Sequence, residues 1–225
     1  MTGARLTRLP YALERAGPPF ERYDERDSDR YPESLVRHFL ETFTQKGDRV
    51  FDPFAGLGTT LFVSEAMGRR AYGMETDRRR QAWVAGQLDN WLGLICADAA
   101  TMLDHGLPKM DFAMTSPPFM PKHHRWNPLY GGDPDQAGYE SYLARIEHIF
   151  GQLTKLLKRD ARLVVQLDNI EGRTFTALVA DIGVRLAQIM RQDDDILVHW
   201  QNGRRDYEYT HCLVFKNVRA KTRVV

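Results

Sequence analysis

Short apolar runs alternate with amphipathic stretches along most of this chain. After a polar opening segment, Leu35, Val36, Phe39, Leu40 and Phe43 recur at helical spacing. Strand-length apolar runs then fall near Val50–Asp52, Ala71–Glu75, Leu94–Ala97, Phe112–Thr115, Leu163–Leu167, Ile196–His199 and His211–Phe215. Helical patterns lie between them, near Thr60–Met67, Arg78–Leu88, Tyr142–Leu157 and Thr176–Met190. Such alternation predicts an α/β domain with a mostly parallel sheet covered by helices on both faces. The last two of the seven predicted strands are joined only by Gln201 to Glu208, too short for a crossover helix, so the final strand should run antiparallel.

At 225 residues the chain is read as one domain, long enough for a full α/β core. Residues 1–30 form a charged, proline-containing arm, expected to be irregular apart from one short helix around Tyr11 to Arg15. Residues 31–217 make the main domain, and 218–225 a basic tail carrying Arg219, Lys221 and Arg223. The formal net charge of +1 gives no global pull toward nucleic acid, although Arg69-Arg70, Arg78-Arg79-Arg80 and Arg204-Arg205 are local basic runs. Cys96 and Cys212 each sit in an apolar run and read as reduced core residues of an intracellular protein. No membrane span or signal peptide is visible, so a soluble, cytoplasmic protein is expected.

Two stretches carry chemistry. The first, Asp52-Pro53-Phe54-Ala55-Gly56-Leu57-Gly58-Thr59-Thr60, follows a strand and opens a helix, the arrangement of a nucleotide site. Gly56 and Gly58 allow a sharp turn and close backbone approach to a ligand. The third glycine of a dinucleotide fingerprint is replaced by the Thr59-Thr60-Leu61 run, which favours a ligand without a pyrophosphate. Glu75 ends the next strand, where a carboxylate can accept from ribose hydroxyls, and Asp98 follows the third, placed for an adenine amino group. Either carboxylate could equally be a helix cap or turn residue. Asp52 could meet a methionine amino group or satisfy turn amides, and Glu33 or Ser34 could cap the helix after Tyr31-Pro32. The second stretch, Thr115-Ser116-Pro117-Pro118-Phe119, offers a hydroxyl, two rigid prolines and an aromatic ring at the end of the fourth strand.

As a pair, these motifs resemble the cofactor and catalytic motifs of amino-methylating DNA methyltransferases, which modify N4 of cytosine or N6 of adenine. The resemblance spans roughly Tyr31 to Phe215, and seven strands with the last reversed resemble the class I S-adenosylmethionine-dependent methyltransferase sheet. It implies S-adenosylmethionine held by Tyr31, Pro32, Asp52, Pro53, Phe54, Ala55, Gly56, Gly58, Thr59, Thr60, Glu75, Asp98 and Thr115. It also implies catalysis by Ser116, Pro117, Pro118 and Phe119. A serine-initial tetrapeptide resembles the N4-cytosine enzymes more than the adenine enzymes, while Phe119 replaces the commoner tyrosine and the motif order leaves the subgroup open.

The residues themselves support an amine-directed reaction. Hydrogen bonds from an aromatic amine to the Ser116 hydroxyl and to a carbonyl beside Pro117 would draw the nitrogen toward pyramidal geometry and free its lone pair. Phe119 would stack on the base, and no metal or covalent nucleophile is needed. Lys122, His123, His124, Arg125 and Trp126, in the loop that follows, mix cations with aromatics and are candidates for contacting a strand, although a solvated loop reads the same way. The adjacent histidines lack the spacing of a metal site.

DNA is the favoured partner over RNA, and no membrane is expected. Little of the chain remains for a base-edge reader. Low specificity, a homodimer, a separate specificity partner and structured RNA therefore all stay open. A non-catalytic nucleic-acid-binding scaffold is the alternative from another class.

Overall fold

In the computed structural model, the structure describes residues 5–11, 30–131, 133–201 and 208–218. The predicted alternation is present. In chain order the elements are β1 (Arg5–Pro10), α1 (Glu33–Phe43), β2 (Arg49–Asp52), α2 (Thr59–Ala66), β3 (Arg70–Glu75), α3 (Arg78–Ala85) and β4 (Leu94–Cys96). They continue with β5 (Met110–Thr115), α4 (Tyr139–Leu156), β6 (Leu157–Leu167), α5 (Leu178–Ala187), β7 (Arg191–Gln201) and β8 (Tyr209–Lys216). Short 3-10 turns fill several of the connections.

All eight strands form one sheet in the order β1-β7-β8-β6-β5-β2-β3-β4. Only β8 is reversed, pairing antiparallel with both β6 and β7, as the short Gln201–Glu208 connection requires. The seven expected strands thus have the class I methyltransferase order, and β1 is an addition pairing parallel with β7 at the edge.

The central strands read as continuous apolar runs because successive residues pack on opposite faces. Phe51, Ala113, Leu163 and Val165 enter the cluster under α4 and α5. Their neighbours Val50, Phe112, Met114 and Val164 enter the cluster under α1. A third cluster joins α2 and α3 through Leu61, Phe62 and Val84. Burial on both faces leaves no room for polar alternation in these strands.

Departures from expectation occur where that rule lapses. Arg5–Pro10, expected to be irregular, is a strand at the sheet edge. Leu6 lies in solvent and Leu9 is the apolar side chain of the strand that packs inward, so little periodicity betrayed it. Most of the expected Tyr11–Arg15 helix lies outside the described residues, as do Arg204-Arg205 and the tail from 219. Ser34 does not cap α1; its hydroxyl donates to the Pro10 carbonyl at 2.6 Å, fastening β1 to the domain. Arg69 of a basic run is structural, donating to the Leu40 and Thr44 carbonyls at the end of α1.

Strand β7 includes the charged run Arg191–Asp195, whose charges find partners in Arg162 and His211. Strand β6 starts earlier than its apolar core because Leu157 pairs with Met110 before a bulge. Cys96 is exposed at the end of the short edge strand β4, and only Cys212 is a core residue; both thiols are free. Among the described residues no helix is long and apolar enough to cross a membrane.

The chain winds outward through β2, β3 and β4, then returns to β5 on the other side of β2. The reversal opens a crevice between the carboxyl ends of β2 and β5, where open α/β sheets bind ligands. Gly58 starts α2 behind the glycine turn with φ +79°, and a Cβ there would meet Val84 at 2.6 Å and Phe62 at 3.0 Å. Gly58→Ala is therefore expected to cost about 1–3 kcal/mol, lowering Tm by several degrees in thermal unfolding. An unchanged Tm would show that α3 yields to the methyl group.

Candidate active site

The two motifs meet at one buried carboxylate. Asp52 ends β2 and is 2% exposed. Its Oδ1 accepts from the Thr115 hydroxyl at 2.6 Å and from the Phe54 amide at 3.0 Å. Its Oδ2 accepts from the Tyr31 hydroxyl at 3.1 Å, and that hydroxyl is in turn hydrogen-bonded to Thr60. Burial raises the Asp52 pKa against the opposing pull of these donors, and burial first, then the Asp52 charge, drives the Tyr31 phenol well above its usual value. Tyr31, Asp52, Thr60 and Thr115 thus bind the segment leading into α1 to β2, α2 and β5.

Past this anchor the glycine turn runs over the sheet. The Gly56 amide donates to Glu75 Oε2 at 2.9 Å, and the Asp77 amide donates to Oε1 at 2.8 Å. Glu75 therefore holds the turn while lining the cleft, and burial raises its pKa. Helix capping at α3 falls to Asp77, whose side chain accepts from the Arg79 and Arg80 amides. Asp98 has two partners. Oδ1 accepts from the Ala100 amide at 2.8 Å, and Oδ2 pairs with Arg145 of α4 at 2.7 Å. The same guanidinium lies 4.7 Å from the centre of the Tyr130 ring, joining this end of the cleft to the loop after the proline pair.

These groups border one cleft of about 720 Å³, lined on one side by Tyr31, Pro53, Phe54, Gly56, Glu75 and Asp98. Ser116, Pro117, Pro118 and Phe119 line the same cleft. A side pocket of about 100 Å³ reaches Asp52, Ala55 and Thr59 and also touches Ser116. Thr59 Oγ1 is buried there without a hydrogen-bond partner among the described residues. The Tyr142 hydroxyl donates to the Pro118 carbonyl at 3.0 Å, so α4 fixes the tetrapeptide backbone. The ring of Phe119 is 38% exposed at the cleft.

The five substrate candidates separate. Lys122 points its ammonium over the Tyr139 ring, 5.6 Å from the centroid, and His123 meets the Thr174 hydroxyl at 3.2 Å. His124, Arg125 and Trp126 are exposed. The paired histidine rings touch edge to face at 4.6 Å, and among the described residues no His, Cys, Asp or Glu cluster could hold a metal.

Pro32 is buried at the start of α1 and does not border the cleft with Tyr31. Other cleft residues went unnoticed in the sequence. Gln166 and Asp168 stand at the end of β6 beside Ser116, where the strand-end rule would have found them. Arg30 and Arg80 line the pocket at the glycine turn from separate segments; Arg80 stood out only as part of a basic run, and Arg30 not at all.

Residues 16–84 match the family model described as DNA methylase. Type II methyltransferase M2.DpnII of Streptococcus pneumoniae is 33% identical over 58 residues, 26% of this chain and 22% of that protein. M.BglII of Bacillus subtilis is 37% identical over 49 residues, 22% of this chain and 14% of the relative. The chain thus spans well under a quarter of these relatives' lengths. Among solved structures, TrmN from Thermus thermophilus has a TM-score of 0.60 at 19% identity, covering 85% of this chain and 51% of that one. Magnesium protoporphyrin IX methyltransferase from Synechocystis, solved with bound SAM, has a TM-score of 0.53 at 18% identity, covering 82% and 76%. The fold is that of the class I methyltransferases, and residues 16–84 are related to the DNA methylases.

The buried anchor can be tested by pH. Because folding raises the Asp52 pKa, the native carboxyl binds its proton more tightly than the unfolded chain does. Its contribution to stability is fully present below the ordinary carboxylate value and is lost as pH rises through the raised native value. Asp52→Asn cannot titrate. The stability of wild type relative to Asp52→Asn, from urea unfolding at a series of pH values, should fall across that window. A flat difference would mean the carboxylate is solvated.

Proposed function

We propose, from a chain whose residues 16–84 are related to the DNA methylases, that residues 31–217 are the catalytic domain of an S-adenosylmethionine-dependent methyltransferase. Its target is an exocyclic amino group of a nucleic-acid base, cytosine N4 in DNA ahead of adenine N6. One observation carries the reading: the glycine turn and the Ser-Pro-Pro-Phe segment line a single cleft, with their strands joined by the 2.6 Å Thr115–Asp52 hydrogen bond.

The residues fit this cofactor. The orphan Thr59 hydroxyl and the small pocket around Gly56 suit a polar methionine end. Glu75 and Asp98, farther along the same cleft, suit the ribose hydroxyls and the adenine amine. Asp52, with its oxygens engaged by protein donors, serves by shaping the turn. When bound, the cofactor supplies a methyl group made electrophilic by its sulfonium.

The protein's own task is to hold the amine in line. Ser116 accepts one amine N–H, and a proline carbonyl accepts the other. Without amide hydrogens, the prolines leave fixed carbonyls at the site, and Tyr142 restrains the second of them. Phe119 stacks on the base, which must be unpaired or flipped at a cost of a few kcal/mol. The amine proton leaves to solvent water, directly or through Ser116, which passes its own hydroxyl proton on as it accepts one. Orientation of this kind supplies a large share of the rate.

Structured RNA is the second reading. It draws support from the described residues outside the sheet and its helices, which are loops and 3-10 turns with no helix free to enter a major groove.

Labelled-methyl transfer onto DNA and RNA pools, followed by nucleoside mass spectrometry, should yield N4-methylcytosine from DNA. Label on no base at all would overturn the reading. Ser116→Ala is expected to leave cofactor affinity within about two-fold while lowering kcat roughly 10²-fold; an unchanged kcat would remove Ser116 from the reaction. Asp98→Ala should weaken cofactor binding by about ten-fold or more, as loss of a charged hydrogen bond does, with a smaller effect on kcat at saturating cofactor. Equal affinity by calorimetry would exclude Asp98 from the adenine subsite.

A further inference from the structure

The connection between β6 and α5 begins at the cleft with Asp168 and ends in the buried Thr176. Ile170 and Thr176 exchange both backbone hydrogen bonds at 3.0 Å, closing residues 171–175 into a small hairpin-like loop. The expected α5 start at Thr176 is thus replaced by this bridge. The loop's tip is exposed and carries Arg173 and Phe175, the latter 61% in solvent.

Two hydrogen bonds staple this tip to the segment after the proline pair. The Lys122 amide donates to Thr176 Oγ1 at 2.9 Å, and the His123 ring meets Thr174 Oγ1 at 3.2 Å. The stapled partner is itself braced. The Gly138 amide donates to the Arg125 carbonyl, and fully buried Asn127 donates to the Gln136 carbonyl. Between those two braced positions, Trp126 is 68% exposed.

Three large aromatics, Phe119, Trp126 and Phe175, are therefore exposed on two mutually fastened loops, the first of which borders the cleft at Phe119, and the same loops carry Arg125 and Arg173. Single exposed apolar residues need no explanation, but several exposed aromatics on fastened loops that also carry cations do. Rigid aromatic faces interleaved with positive charge match an unpaired strand, whose bases stack and whose phosphates attract arginine.

We infer that loops 119–126 and 169–176 form one strand-binding rim. In it Trp126 and Phe175 stack on bases flanking the one presented to Phe119, and Arg125 and Arg173 face the phosphates. This rests on the nucleic-acid reading above and joins to its 122–126 candidates a second loop, 169–176, that the sequence had not pointed to. Unpaired nucleobases are the shared chemistry, and DNA and RNA are separated by the test.

The test is fluorescence anisotropy of the full chain with a short single-stranded DNA and the RNA of the same sequence, alongside labelled-methyl transfer in the same samples. Phe175→Ala and Trp126→Ala should each weaken strand binding about ten-fold, within the range lost with one stacked base, leaving S-adenosylhomocysteine affinity unchanged. Phe175→Tyr should retain binding, whereas Phe175→Leu, which keeps apolar bulk without the ring, should not. Arg173→Ala should lower the salt slope by about one. Wild-type strand binding and methyl transfer with Phe175→Ala equally tight would overturn the rim and leave the methyltransferase intact. A wild type that neither binds nor methylates either strand would overturn both.

Discussion

The hydrogen bond from Thr115 to Asp52 spans 63 positions of sequence, and the rest of the site depends on it. A carboxylate this deeply buried is costly unless its lone pairs are used. Here the donors come from the segment before α1, the glycine turn and β5. Satisfying one side chain therefore fixes where three segments can lie. The winding reversal between β2 and β5 creates the crevice, and Asp52 sets its width. Removing a single donor would leave charge unpaired, so the anchor resists piecemeal change.

A carboxylate can hold backbone amides and still border a cleft, as Glu75 and Asp98 do. Glu75 holds the Gly56 and Asp77 amides yet borders the cleft. Asp98 caps a 3-10 turn with one oxygen and holds Arg145 with the other. A side chain fixed by its own backbone contacts presents its remaining acceptor sites without further ordering, which is preorganisation in its simplest form. Through Arg145 and Tyr130, the acceptor end of the cleft is also mechanically continuous with the loop that follows Phe119.

Much of this was legible in the chain because burial on both faces writes long apolar runs, and Val50–Phe51, Phe112–Met114 and Leu163–Val165 are such runs. The glycine turn and the proline pair were legible because backbone geometry restricts those positions to few residue types. What was hidden shares one property: dependence on distant partners. Strand β1 carries little pattern because an edge strand buries little, and it is held by Ser34 and β7. Cys96 looked like core until β4 proved to be the opposite edge. Arg145 and Tyr142 matter only once α4 is laid against the proline pair. No local spacing could announce them.

The same reasoning bears on how the two fastened loops, as a proposed rim, would engage a strand. A dedicated base-reading element costs residues, and few described here lie outside the sheet and its helices. A rim needs far less, provided its rings are held still, because a mobile aromatic loses ordering entropy on binding that a fixed one has already lost. The Ile170–Thr176 bridge, the Thr176 and Thr174 staples and the buried Asn127 do that holding. Stacking platforms discriminate bases weakly, since every base has a face to offer. A protein built this way would take its selectivity from whether a base can be unpaired and fitted against Ser116 and Phe119, more than from the sequence around it.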